Sequence, residues 1–183
     1  MVLVKTRTHS YSIGIKMRKK KPKKICILGK LPTKFEAPFD DKSWEIWAFN
    51  EHKDGWRLPR VDKWFNLHAY AAEHSVAYSI KNFPFKLCEM LVGGEYFNNC
   101  VSYLIAFAIL RGATEIALYG CNFDEDNRER SIELANVREL VFFARGHGIK
   151  VTAPEDWRIL NPWYRYIDWR KYEKERIIQN GSD

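Results

Sequence analysis

Residues 98–120 read NNCVSYLIAFAILRGATEIALYG, and this stretch limits the possible folds more than any other part of the chain. Asn98 is a good helix cap, and the apolar run behind it reaches about Leu110 before Gly112 supplies a stop. That run is apolar on most faces, so the helix has to be buried. Three residues later IALYG (116–120) has the composition of a buried strand and ends in a second glycine. A buried helix leading directly into a buried strand is half of a parallel crossover unit. The chain is therefore expected to build a parallel α/β sheet.

The rest of the chain supplies further strands. ICILG (25–29), WEIWAF (44–49), VDKWFNLH (61–68), IALYG and IKVTAP (149–154) give five. Residues 69–97 are ambiguous: KLCEML is compatible with a short strand, and Gly93-Gly94 marks a turn. Residues 131–145 have helical spacing, with Ile132, Leu134, Val137, Leu140, Val141 and Phe143 apolar, and His147 between two glycines closes that helix as a turn residue. Right-handed crossovers favour the strand order 3-2-1-4-5 with helices on both faces. The expected fold is a single Rossmann-like domain over residues 24–170, with a C-terminal helix end and tail at 171–183.

Charge sets the N-terminal stretch apart. Residues 1–24 hold nine of the 30 Lys and Arg and no acid, so residues 25–183, with 21 cations against 23 acids, are close to neutral. KMRKKKPKK (16–24) concentrates seven of those cations. Residues 1–23 are expected to form a flexible basic arm, and residues 16–24 to offer nonspecific contact with nucleic-acid phosphates. The arm lacks an apolar stretch of the secretory kind, and no apolar run approaches the ~20 residues that span a bilayer. Four cysteines without CxxC spacing read as reduced thiols, and a cytoplasmic setting without membrane contact is expected.

In an open parallel sheet, ligands bind beyond the carboxyl ends of the strands where the strand order reverses. Two turns belong there. Gly29-Lys30-Leu31-Pro32-Thr33 follows the first strand: Gly29 permits close backbone approach, Pro32 and Thr33 open a helical turn suited to a phosphate, and Lys30 adds a cation. Gly120-Cys121-Asn122 follows the fourth strand. Asn50, ending the second strand, has an amide able to bond a sugar or base, and His68, ending the third, is a candidate general base. Asn98 and Asn99 bring a helix start to the same edge. Asp124-Glu125-Asp126 has the chemistry of a divalent-metal loop, but acidic loops are common and no metal ligand is assigned. Trp163 to Lys171 interleaves aromatics with cations, which suits either packing on the sheet or stacking on bases.

These landmarks resemble the CMP-sialic-acid-dependent bacterial sialyltransferases. Gly29–Thr33 corresponds to their nucleotide turn, Phe49-Asn50 to the end of their second strand, Asn66 with His68 to the third, Asn98-Asn99-Cys100 to the helix start, and TEIALYGCNF to the strand after it. A nearer similarity is to phage and prophage proteins that pair PFDD and WEIW with PRVD, WF and a helix–strand ending in LYG. The resemblance implies a CMP- or UDP-type nucleotide or nucleotide-sugar as ligand of a glycosyltransferase-like protein; for such a transferase His68 and Lys30 are the catalytic candidates on their own chemistry, a base and a cation, since the family's catalytic His has no counterpart here. It differs where Lys30 replaces the Asn of the nucleotide turn and where Asn98-Asn99 replaces a Thr-Ser pair. Two alternatives stay open: a module that binds a nucleotide or nucleotide-derived signal without turning it over, and a nucleic-acid-associated accessory protein that uses the basic arm.

Overall fold

The computed structural model describes residues 23–50, 57–68, 77–121, 123, 128–154 and 159–160. Most of the expected basic arm, Asn122, the 124–126 acidic loop, the Trp163–Lys171 segment and the 171–183 tail lie outside these residues.

Among the described residues six parallel strands form one sheet. They are β1 (Lys24–Leu28), β2 (Trp44–Phe49), β3 (Lys63–Asn66), β4 (Tyr78–Ser79), β5 (Glu115–Tyr119) and β6 (Lys150–Thr152). Their order is β4-β3-β2-β1-β5-β6. The five strands read from sequence take the expected order, and β4 adds a two-residue edge that the sequence did not announce. The chain is a parallel α/β domain of Rossmann-like architecture. β1 sits in the middle, paired with β2 on one side and β5 on the other. Ile25, Cys26, Ile27 and Leu28 are all fully buried. A strand covered on both faces reads as a continuous apolar run, which is why ICIL shows no alternation.

Three α-helices cover one face: α1 (Phe85–Val92), α2 (Cys100–Leu110) and α3 (Arg128–Gly146). Their apolar residues join Ile25, Ile27, Trp47, Phe65, Ile116 and Leu118 in the larger core. The other face packs Cys26, Leu28, Ile46, Ala48 and Ala117 against Ala37 and Phe39, which follow a short 3-10 helix at Pro32–Glu36. Among the described residues, helices thus flank the sheet unequally. Near the end of β3 the larger core is aromatic: Phe65 stacks on Tyr78 with centroids 5.2 Å apart and lies 5.0 Å from Trp47.

Several local expectations are corrected. KLCEML lies in a helix, not a strand. It has no β-branched residue, and Gly93, in the left-handed region at φ 85°, ends the helix by donating to Glu89. Only Cys88 of α1 is buried, while Leu87 and Met90 lie on the outer side. The cap of α2 is Asn99, not Asn98, and its side chain accepts from the Ser102 N–H. α3 begins three residues earlier than its apolar spacing implied, and Ile132 is 54% exposed, outside the buried stripe of Leu134, Val137, Leu140 and Val141. β3 covers only Lys63–Asn66 of the expected 61–68; just before it Asp62 is tied to β2, its carboxylate accepting the Ile46 N–H at 2.7 Å and its own N–H donating to the Ile46 carbonyl at 2.8 Å. Among the described residues no helix is long and apolar enough to cross a membrane.

Candidate functional site at the carboxyl edge of the sheet

Because every strand is parallel, Gly29, Asn50, His68 and Gly120 all fall on one edge. Helix α2 returns antiparallel to the strands, so its N-terminus reaches the same edge. The order reverses between β1 and β5, which places Gly29 and Gly120 at the switch point.

At that point the two turns close on each other. Leu28 is in register with Tyr119, so Gly29 lies beside Gly120. The Gly29 N–H donates to the Tyr119 carbonyl at 2.7 Å, and the Leu31 N–H donates to the Gly120 carbonyl at 3.1 Å. The Gly120 N–H in turn donates to Thr33 Oγ1 at 3.0 Å. A Cβ on Gly29 would lie 2.0 Å from the Gly120 carbonyl oxygen. The close approach that Gly29 allows is therefore filled by the neighbouring turn. Two N–H groups and one hydroxyl of this loop are engaged in holding it shut. Pro32 opens the 3-10 helix, where its fixed φ suits the first turn. Lys30 is exposed at the loop tip. Lys34, which sequence reading passed over, is 3% exposed and donates from its ammonium to the Lys30 carbonyl at 3.3 Å.

Asn98 and Asn99 face α3. The Asn98 amide donates to the Ile132 carbonyl at 3.3 Å, and the Asn99 amide donates to the Glu133 carbonyl and to Asn136 Oδ1, each at 3.3 Å. Asn136, buried, also accepts from the Asn98 N–H and donates to the Tyr96 carbonyl at 3.1 Å. These amides fix the start of α2 against α3, so each has a structural role whatever binds there.

The group that does converge is Asn50, His68 and Cys100. Asn50 is in the left-handed region (φ 57°), alone among the described non-glycine residues, and is 9% exposed. Asn tolerates this conformation better than most residues, and here it turns the chain at the end of β2. Its N–H donates to the Phe65 carbonyl at 2.7 Å. Its side-chain amide nitrogen lies 3.6 Å from Cys100 Sγ. His68 is exposed, its N–H donating to Asn66 Oδ1 at 3.2 Å, and its Nε2 lies 3.7 Å from the same sulfur. Cys100 is the first residue of α2 and is half-buried. Burial pushes its thiol above the ordinary range; the Asn50 amide and the Lys30 ammonium act in the opposite direction. Asn50 and His68 were legible from sequence as strand ends. Sequence marks Cys100 only as a reduced thiol at a helix start; its place directly after the cap follows from the structure, where the cap is Asn99 rather than Asn98.

Among the described residues no group of three or more His, Cys, Asp or Glu stands together as metal ligands, and the 124–126 loop lies outside them. The opposite edge of the sheet carries a groove of about 530 Å³ lined by Lys23, Lys24, Lys42 and Lys63 with Glu45 and Asp62. Glu45 bridges Lys23 and Lys63, and Glu115 bridges Lys24 and Lys150, so each carboxylate faces two ammonium groups. Burial lowers the Lys23 and Lys63 pKa values, and the Arg111 charge lowers both further.

The class of protein this defines is a parallel α/β domain with a polar cluster at the carboxyl edge of its sheet. No family model matches the chain, and no curated protein or solved structure matches it.

Proposed function

We propose that the carboxyl edge of the sheet binds a nucleotide-type ligand, a nucleotide or nucleotide-sugar, and that the protein is glycosyltransferase-like and of phage type. One observation carries this reading: Asn50, His68 and the N-terminus of α2 converge at the carboxyl edge of the sheet, beyond β2 and β3 and beside the switch-point strand β1. The buried amide of Asn50 supplies both a donor and an acceptor for a base or sugar. Negative charge on a phosphate is favoured at the N-terminus of α2 and by the exposed ammonium of Lys30. In a transferase His68 would take the acceptor's proton, and Lys30 would offset charge on the departing phosphate.

A melting-temperature panel with CMP, UDP, ADP, NAD and their sugar conjugates tests the reading, since a ligand bound only by the folded state raises the melting temperature. A rise that Asn50→Ala diminishes is the expected result. Turnover with an acceptor separates the transferase from the non-catalytic binding module. No rise with any nucleotide sinks both.

A second reading rests on the lysine-lined groove. Lys23 and Lys24, the last two residues of the basic sequence run at 16–24, line it next to Lys42 and Lys63. Such a surface suits the phosphates of a nucleic acid, bound without sequence preference. Its sign would be affinity for DNA or RNA that falls steeply with salt and weakens in Lys42→Ala/Lys63→Ala.

A further inference from the structure

Cys100 differs from the other three cysteines in its surroundings. Cys26, Cys88 and Cys121 are buried, while Cys100 is half-buried at the edge where ligands bind. It opens an 11-residue helix, and its sulfur lies 3.7 Å from the ring nitrogen of an exposed histidine. A nucleophile and a base within hydrogen-bond reach, at loosened resting distance, form the basic unit of covalent catalysis. Two further observations point outward from this pair. Among the described residues nothing accepts from the N–H groups of Cys100 and Val101, which stand in the first turn of α2. The side chain of Asn50, nine-tenths buried, meets the sulfur through both ends of its amide, the nitrogen at 3.6 Å and the carbonyl oxygen at 4.0 Å. A donor pair and a buried amide beside a thiol–imidazole pair are what an acyl group needs for its oxygen and its substituent.

We propose that Cys100 is a nucleophile for acyl transfer, with His68 as its base and an ester, thioester or amide carbonyl as its substrate class. His68 Nε2 takes the proton from Cys100 Sγ as the sulfur bonds to the carbonyl carbon. The carbonyl oxygen carries the resulting negative charge, opposite the N–H groups of Cys100 and Val101 in the first turn of α2. Collapse breaks the bond from that carbon to the leaving oxygen, sulfur or nitrogen, which receives the proton from His68 and leaves a thioester on Cys100. Water, or another acceptor, then gives its proton to His68 and attacks the thioester. The carboxylic acid or transferred acyl group departs, and the thiol is restored. No oxidant or cofactor enters the balance. Burial keeps the resting thiol protonated, so the step depends on the base rather than on a standing thiolate.

This inference does not rest on the nucleotide reading, and its test uses no nucleotide. The full chain is treated at pH 7 with p-nitrophenyl acetate, and acetylated cysteines are located by peptide mass spectrometry. The expected result is acetylation of Cys100 at least ~10-fold faster than that of glutathione at the same pH, with a matching release of nitrophenolate. His68→Gln should lower the Cys100 rate ~10-fold or more while leaving the melting temperature close to that of the parent, since His68 is exposed. Cys100→Ala should remove the fast phase. Acetylation of Cys100 no faster than glutathione overturns the proposal, and so does an unchanged rate in folded His68→Gln. If His68→Gln does not fold, the comparison of the parent protein with glutathione decides alone.

Discussion

The Cβ that Gly29 lacks would lie 2.0 Å from the carbonyl oxygen of Gly120, and both of the other nearest atoms are also backbone. Nothing flexible can move aside. Gly29→Ala is therefore expected to cost about 3 kcal/mol or more, at the upper end of overpacking penalties, and Gly29→Val to cost more still. Urea denaturation of the two variants checks this. A Gly29→Ala midpoint within error of the parent would show that the two turns can separate at little cost.

Gly120 meets its neighbours from the other side. It sits at φ 66°, and its added Cβ would lie 2.8 Å from the Leu31 carbonyl oxygen. Gly120→Ala combines left-handed strain of about 1–2 kcal/mol with a backbone contact, so it too should destabilise the fold. Thr33→Val removes only the acceptor of the Gly120 N–H, and a loss of about 1–2 kcal/mol is expected. A thermal melt showing Thr33→Val as damaging as Gly120→Ala would contradict this ranking.

The sheet was legible because its central strands are covered on both faces, and ICIL and IALYG carry that fact in composition alone. The buried α2 was legible for the same reason. α1 was not, since its half-exposed face puts Leu87 and Met90 outside and leaves six residues with no clear period. β4 was unreadable because two residues hold no pattern. At the site, Asn50 and His68 could be found as strand ends. The partner of Gly29 could not, because a glycine that admits a ligand and one that admits another backbone look identical in sequence. Cys100 was hidden by its apolar neighbours, and only the fold brings His68 to it across 32 positions.

Asn99 and Asn136 hold the start of α2 in place. Asn99→Ala loses the cap to Ser102 and the bonds to α3, for an expected loss of about 1–2 kcal/mol. Asn136→Ala leaves the Tyr96 carbonyl, the Asn98 N–H and the Asn99 amide without their shared partner, and should cost at least as much. Because the two side chains bond each other, the double variant should lose less than the sum, with a coupling of about 0.5 kcal/mol or more. Strict additivity in a denaturation cycle would mean that the amides act independently.

Asn50 separates backbone from side-chain roles. Asn50→Gly keeps the left-handed turn without strain, whereas Asn50→Ala is expected to cost about 1 kcal/mol there. Both remove the amide, so both should weaken nucleotide binding by ~10-fold if the amide bonds the ligand. Calorimetric titration of the two variants distinguishes the cases: a loss in Asn50→Ala that Asn50→Gly restores assigns the effect to the backbone. Under the transferase reading, His68→Ala should lower turnover by ~10²-fold with donor affinity little changed.

Buried thiols give the fold an alkaline limit. Burial raises Cys121 and Cys88 from 9.0 to about 12, and it raises Cys26 beyond the usual range. A raised folded pKa means that the native state holds its proton where the unfolded chain has released it. The stability these thiols contribute is thus fully present below about pH 9 and is lost between about 9 and 12, as the unfolded thiol ionises first. One fully buried thiol gives a slope of up to about 1.4 kcal/mol per pH unit in that window. Lys23 and Lys63, lowered from 10.5, act with the opposite sign over part of the same range, so the parent protein's curve mixes both. The difference between parent and Cys121→Ala isolates one thiol. Cys121→Ala should be less stable at pH 7, having lost packing and the contacts of its sulfur with the Ile27 and Tyr119 carbonyls. Its deficit should shrink from pH 9 upward, because the variant has no proton to lose at that position. Urea midpoints at pH 7, 8, 9, 10 and 11 measure the gap, and a deficit that stays constant or widens above pH 9 would show that Cys121 does not carry this linkage.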